Sequence, residues 1–264
     1  MKVIVTLSMF IWIALSTFAQ ENYEKKVFVS QAGDSLPYRL LRPAGEMAGE
    51  KYPLVLLMHG AGERGNDNEK QLTHGGRMFL NPVNREKYPA FVLAPQCPPD
   101  GYWAYPERPA TFLPERMPIR PEPTLLIKNV KELLDSYRAL PEVDTDRVYV
   151  IGLSMGAMAT FDLAARYPEL FATAVAICGT VNPKRLENIQ GMSFRIFHGD
   201  ADDIVPVEGS RAAYRALKKA GVLVEYIEFP GCNHGSWNPT FNYPGFMEWI
   251  FDQKKSGLSK VKLE

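Results

Sequence analysis

The sequence predicts an α/β protein with a mostly parallel central sheet, an N-terminal antiparallel hairpin and helices on both faces. Three observations carry that prediction. Short apolar runs, among them Pro53–Met58, Ala90–Pro95 and Ala172–Ile177, are continuous rather than alternating, as strands covered on both faces must be. Between them lie segments with apolar residues at helical spacing, and such alternation builds parallel strands joined by crossover helices. Finally, Arg147-Val148-Tyr149-Val150-Ile151 runs through Gly152-Leu153-Ser154-Met155-Gly156 straight into helix-forming residues.

The amino terminus reads as a targeting segment. Lys2 precedes an apolar run, Val3–Leu15, which is shorter than the roughly 20 residues of a membrane span. Small residues then lead to an expected cut after Ala19. Residues 1–19 are therefore expected to be a signal peptide, and 20–264 a single domain exported to the periplasm or beyond, without stable membrane insertion. The chain carries 30 basic and 30 acidic residues, so nothing electrostatic points to nucleic acid or an anionic membrane. Composition does not fix an oligomeric state. Cys97, Cys178 and Cys232 are an odd number for an exported chain, so at most one internal disulfide is possible, and all three equally suit small buried positions.

In chain order, Val27–Ser30 and Tyr38–Leu41 form the hairpin, joined through Gly33-Asp34. The strand Pro53–Met58 ends at His59-Gly60-Ala61-Gly62-Glu63-Arg64-Gly65, a glycine-rich turn whose N–H groups can converge on a ligand. Ala61, or failing it Gly62, is the source of an oxyanion donor, and His59 braces the loop. A phosphate loop does not fit, because no Gly-Lys-Ser/Thr follows. Asn66 to Glu69 resembles a helix start capped by Asn66. Residues 96–123, rich in proline and aromatics, read as an ordered loop. Following a strand's carboxyl end, this loop belongs beside the serine, where Trp103 and Tyr105 either stack on a sugar or phenyl ring or simply pin the loop. Leu125–Leu140 is a helix, and Asp144-Thr145-Asp146 leads into the strand before Ser154.

A serine between glycines on a strand-to-helix turn is a nucleophile elbow: the strained backbone lifts the hydroxyl clear, and the Met155 N–H at the helix start faces the same space. Ala172–Ile177 follows as a strand, and Phe194–Phe197 is another, ending in His198-Gly199-Asp200-Ala201-Asp202-Asp203. A carboxylate at a strand end is what a serine–histidine pair needs, and Asp202 and Asp203 both qualify; His198 and Asp200 look structural. A helix over 207–220 and the strand Leu223–Phe229 deliver the loop holding His234, with Trp237 as a further substrate contact. Of the four histidines, at 59, 74, 198 and 234, only His234 lies in a loop after the last strand and downstream of the acid, giving the order Ser, Asp, His. No histidines pair at helical spacing and no cysteines lie close together, so no metal and no cofactor are expected.

On these motifs, together with Ala94-Pro95-Gln96-Cys97-Pro98, the chain from about Lys25 to Lys254 resembles the secreted α/β-hydrolases of the phospholipase/carboxylesterase and predicted-peptidase type. It is similar also to dienelactone-hydrolase-like proteins and to feruloyl or acetyl esterases. The resemblance implies an α/β-hydrolase fold and a serine carboxylesterase. Its partner would be a small-molecule or carbohydrate ester, with Ser154, His234 and, from the position four residues after His198, Asp202 as the catalytic set. Ala157 departs from it, standing where a glycine is common. A serine peptidase of the same fold and a non-catalytic carbohydrate-binding relative are the alternatives.

Overall fold

The computed structural model describes residues 23–255, and the targeting segment 1–19 lies outside them. Eight strands form one sheet: β1 (Glu24–Val29), β2 (Ser35–Leu41), β3 (Tyr52–Met58), β4 (Phe91–Pro95), β5 (Val143–Leu153), β6 (Thr173–Ile177), β7 (Ser193–Gly199) and β8 (Leu223–Phe229). Their order is β1-β2-β4-β3-β5-β6-β7-β8. The first two join the sheet antiparallel, and every later pairing is parallel. This is the α/β-hydrolase arrangement that the sequence implies. The helices are α1 (Gly76–Leu80), α2 (Pro82–Lys87), α3 (Leu125–Arg138), α4 (Met155–Arg166), α5 (Glu208–Lys219), α6 (Trp237–Phe241) and α7 (Phe246–Phe251). Among the described residues, no helix is long and apolar enough to cross a membrane.

The apolar strands have no polar face because each feeds two cores. Leu54, Leu56, Val148, Val150, Ala174 and Ile196 pack on one side against Val130 and Leu133 of α3, Phe161 of α4 and Leu217 of α5. Val55, Leu57, Tyr149, Ile151 and Val175 point the other way, onto Phe79 of α1 and Phe246 and Ile250 of α7. Period-two side-chain direction therefore splits one continuous run into two buried sets. Helix α3 starts where Thr124 accepts a hydrogen bond from the Ile127 N–H, a normal N-cap.

Two local expectations are corrected. Asn66 does not cap a helix: Asp67 Oδ1 accepts the N–H groups of Glu69 (2.8 Å) and Lys70 (3.1 Å), and only a single 3-10 turn, Lys70–Leu72, follows. Gln96 decides this, since it holds both Asp67 Oδ1 (2.8 Å) and the N–H of Asn68 (2.6 Å), the latter residue at φ 53°. Strand β5 also begins earlier than its apolar run, at Val143, which pairs with Tyr52. The polar Asp144 remains in the strand by pairing with Arg147 (2.6 Å).

His59 braces the β3 loop as a neutral ring. Its Nδ1–H donates to the Gly60 carbonyl (2.6 Å), and its Nε2 accepts the Cys97 N–H (2.9 Å), so a second proton would meet a donor. Burial, above all, lowers its pKa from 6.5 to about 4. A folded-state pKa below the unfolded one means that stability is complete above pH 6.5 and declines as pH falls towards 4, by about 3 kcal/mol for this group. Urea unfolding across that range should show a shallower pH slope for His59→Gln than for the wild type; equal slopes would contradict it.

Candidate active site

Five loops, those after β3, β4, β5, β7 and β8, meet at the carboxyl ends of the parallel strands. Ser154 follows β5 at φ 52°, ψ −116°, a conformation that costs free energy for any residue but glycine. Packing holds it there. A side chain at Gly152 would place its Cβ 2.2 Å from the Gly156 carbonyl oxygen, and one at Gly156 would lie 2.0 Å from that of Met58. The two glycines thus let helix α4 touch strands β5 and β3 backbone to backbone. Ala157 is accommodated by Gly179, where a Cβ would lie 2.5 Å from its own.

The Ser154 hydroxyl lies 2.9 Å from His234 Nε2, and His234 Nδ1 lies 2.7 Å from Asp202 Oδ2. The carboxylate can only accept, so Nδ1 carries the proton and Nε2 presents its lone pair to the serine O–H. His198 Nε2–H also donates to Asp202 Oδ2 (3.0 Å) and to the Val205 carbonyl (2.9 Å), while Asp202 Oδ1 accepts the N–H groups of Ile204 and Val205, each at 2.9 Å. Burial opposes the charge on Asp202, yet these four donors outweigh it and hold the carboxyl well below the usual carboxylate range. Asp203 is exposed and takes no part. Asp200 accepts the Gly231 N–H (2.6 Å), tying the histidine loop to the end of β7.

Met155 opens α4, and Ala61 opens a 3-10 turn, Ala61–Glu63, so neither N–H can be used inside its own helix. Ala61 lines the cleft that holds Ser154, and Met155 follows the serine directly in the chain. Among the described residues, one group, Cys178, Asp202 and His234, brings three ligand-type atoms within 4.8 Å of one another. Two of its members already bond each other, and burial pushes the Cys178 thiol well above its ordinary pKa, so this group is the underside of the Ser154–His234–Asp202 line. All three cysteines are unpaired.

A cleft of about 290 Å³ opens over Ser154 and His234, with Tyr102, Arg108, Phe112, Glu63, Ile204 and Trp237 among its walls. The placement of two aromatics is corrected here. Trp103 is fully buried, its Nε1–H donating to the His59 carbonyl (3.2 Å), and Tyr105 is buried beneath the loop, so neither presents a stacking face. The same loop instead turns Tyr102 and Phe112 to the cleft. Without regular periodicity, nothing in residues 96–123 could say which aromatic faced in. Trp237 does line the cleft, edge to face with His234 at 5.4 Å and tilted against His74 at 5.0 Å.

The dienelactone hydrolase family model matches residues 116–245. A solved thermostable esterase is 35% identical over 90% of this chain and 64% of its own, with a TM-score of 0.77. The probable carboxylesterase SOBER1-like of Arabidopsis thaliana is 26% identical over 78% of this chain and 80% of its own length. NocK of Nocardia uniformis subsp. tsuyamanensis, a presumed esterase, is 29% identical over 69% of this chain, which spans only 49% of that relative. The chain therefore covers about half to two thirds of some of its relatives and most of others.

Gly156→Ala should lower the thermal midpoint by roughly 10 °C or more, because the new methyl displaces backbone of β3 rather than a movable side chain. Calorimetry showing an unchanged midpoint would contradict this close approach.

Proposed function

Because this chain is an α/β-hydrolase related to the dienelactone hydrolase family and the carboxylesterases, we propose that it is a serine carboxylesterase working through an acyl-enzyme. The observation that carries this is the unbroken line from the Ser154 hydroxyl through the His234 imidazole to the Asp202 carboxylate. In the proposed first step His234 Nε2 takes the serine proton as Oγ attacks the ester carbonyl. Asp202 keeps Nδ1 protonated and stabilises the imidazolium, and the N–H groups of Met155 and Ala61 receive the oxyanion. His234 then returns the proton to the departing alcohol. In the second step the same imidazole activates water, which attacks the acyl-serine and releases the acid. Asp202 stays ionised far into the acid range, so its negative charge faces His234 through both steps.

For substrate, we propose esters of carbohydrates of the acetyl or feruloyl type. The support is the aromatic lining of Tyr102, Phe112 and Trp237 around a cleft of about 290 Å³ that admits a single ring. Export through residues 1–19 is the companion proposal; intact mass of material recovered outside the cytoplasm should lack them, and a mass that retains them contradicts it.

Ser154→Ala and His234→Ala should each lower kcat for a short p-nitrophenyl ester by about 10³-fold or more, and Asp202→Asn by about 10³- to 10⁴-fold through the wrong imidazole tautomer. A fluorophosphonate probe should label the wild type at Ser154 and leave Ser154→Ala unmodified. Wild-type-like turnover by Ser154→Ala would refute the reading.

A further inference from the structure

His198, near the end of β7, is fully buried and forms no part of the cleft wall. It cannot touch an ester bound over Ser154. Its ring nonetheless bonds the acid: Nε2 lies 3.0 Å from Asp202 Oδ2 and 2.9 Å from the Val205 carbonyl oxygen. Both partners are acceptors, so Nε2 carries a proton, and that N–H ties the carboxylate to the far end of its own loop.

The four donors to Asp202 are not equivalent. The N–H groups of Ile204 and Val205 belong to the acid loop itself and fix the carboxylate only to that loop. His234 sits on the loop whose position the acid has to define. Of the four, His198 alone stands on a strand, and that strand lies between β6 and β8 in the sheet.

A second buried group fixes the His198 ring. Nδ1 lies 2.7 Å from the hydroxyl of Ser210, a fully buried residue of α5. With Nε2 protonated, a neutral ring leaves Nδ1 to accept that O–H. Helix α5 is itself seated directly on the loop after β6: a Cβ at Gly209 would lie 2.5 Å from Thr180 Oγ1 and 3.1 Å from the Gly179 carbonyl oxygen. The ring therefore has one orientation in which both of its nitrogens are satisfied.

We propose that His198, held by Ser210, is a positioning residue of the hydrolysis, acting through Asp202 to aim the His234 ring at Ser154. The proposal rests on the esterase reading above. Both steps need the imidazole in one tautomer and one orientation, so a loosened carboxylate lowers kcat, while binding of the ester in the cleft stays as it was.

The test compares two amides of different reach. The amide of His198→Gln extends to the place of Nε2 and donates to Asp202, whereas that of the shorter His198→Asn stays near the place of Nδ1, beside Ser210. On a short p-nitrophenyl ester, with kcat expressed per Ser154 labelled to completion by a fluorophosphonate, His198→Gln should keep kcat within about threefold of the wild type. His198→Asn should lose about tenfold or more, with KM within about twofold in both variants. Ser210→Ala, which removes one hydroxyl, should lower kcat by about threefold at unchanged KM. A histidine that only fills space would give Gln no advantage over Asn in the labelled molecules. Equal kcat for the two His198 variants, or wild-type kcat for Ser210→Ala, would overturn the proposal, and Ser210→Ala decides alone if neither His198 variant yields labelled protein. Failure of the wild type to label at Ser154 would instead overturn the esterase reading.

Discussion

A single carboxylate organises the site. Asp202 accepts from two imidazoles and two backbone N–H groups, so each of its oxygens is held by two donors and it cannot rotate. Four donors around a buried charge offset its desolvation and leave the ring of His234 one orientation in which Nδ1 is satisfied. The second imidazole, His198, works from below: it is fully buried, and its Nδ1 lies 2.7 Å from the Ser210 hydroxyl on α5. The carboxylate position is thus tied to the sheet through β7 and to the helix behind it.

Close backbone contacts bring the other two side chains to that fixed point. At Gly199 a Cβ would lie 2.1 Å from the Cys232 carbonyl oxygen, so the end of β7 and the histidine loop touch directly. The Ala201 N–H donates to the same carbonyl (3.0 Å), which adds to the Gly231–Asp200 hydrogen bond between the acid loop and the histidine loop. At the serine, Gly152 and Gly156 allow the same intimacy between α4 and the strands. Glycines at contacts of this kind exchange side-chain packing for positional accuracy, and the strain at Ser154 persists because the surrounding backbone leaves it no alternative.

The cleft walls obey a looser rule. They come from the loops after β3, β4 and β7 and from the histidine loop, where the sheet ends and no ladder dictates side-chain direction. The chain shares its fold with the thermostable esterase, and loops of this kind are where members of one fold diverge. Reading the substrate is accordingly a question about Tyr102, Phe112 and Trp237, and the hydrolytic line beneath them leaves it open.

The sequence alone determined the sheet and the candidate set. Continuous apolar runs reveal strands buried on both faces, because any polar residue there would lose water without gaining a partner. The Gly-x-Ser-x-Gly turn and a single suitable loop histidine nominated Ser154 and His234, while Asp202 and Asp203 stayed equivalent until the family resemblance favoured one. Only the tertiary structure showed that Asp203 points to solvent, that Asp67 with Gln96 replaces Asn66 at the turn, and that Tyr102 and Phe112 face the cleft in place of Trp103 and Tyr105. The reason is physical. Periodicity and turn chemistry are local and survive in a string of letters, whereas the direction of a side chain in an irregular loop is set by contacts between residues far apart in the chain.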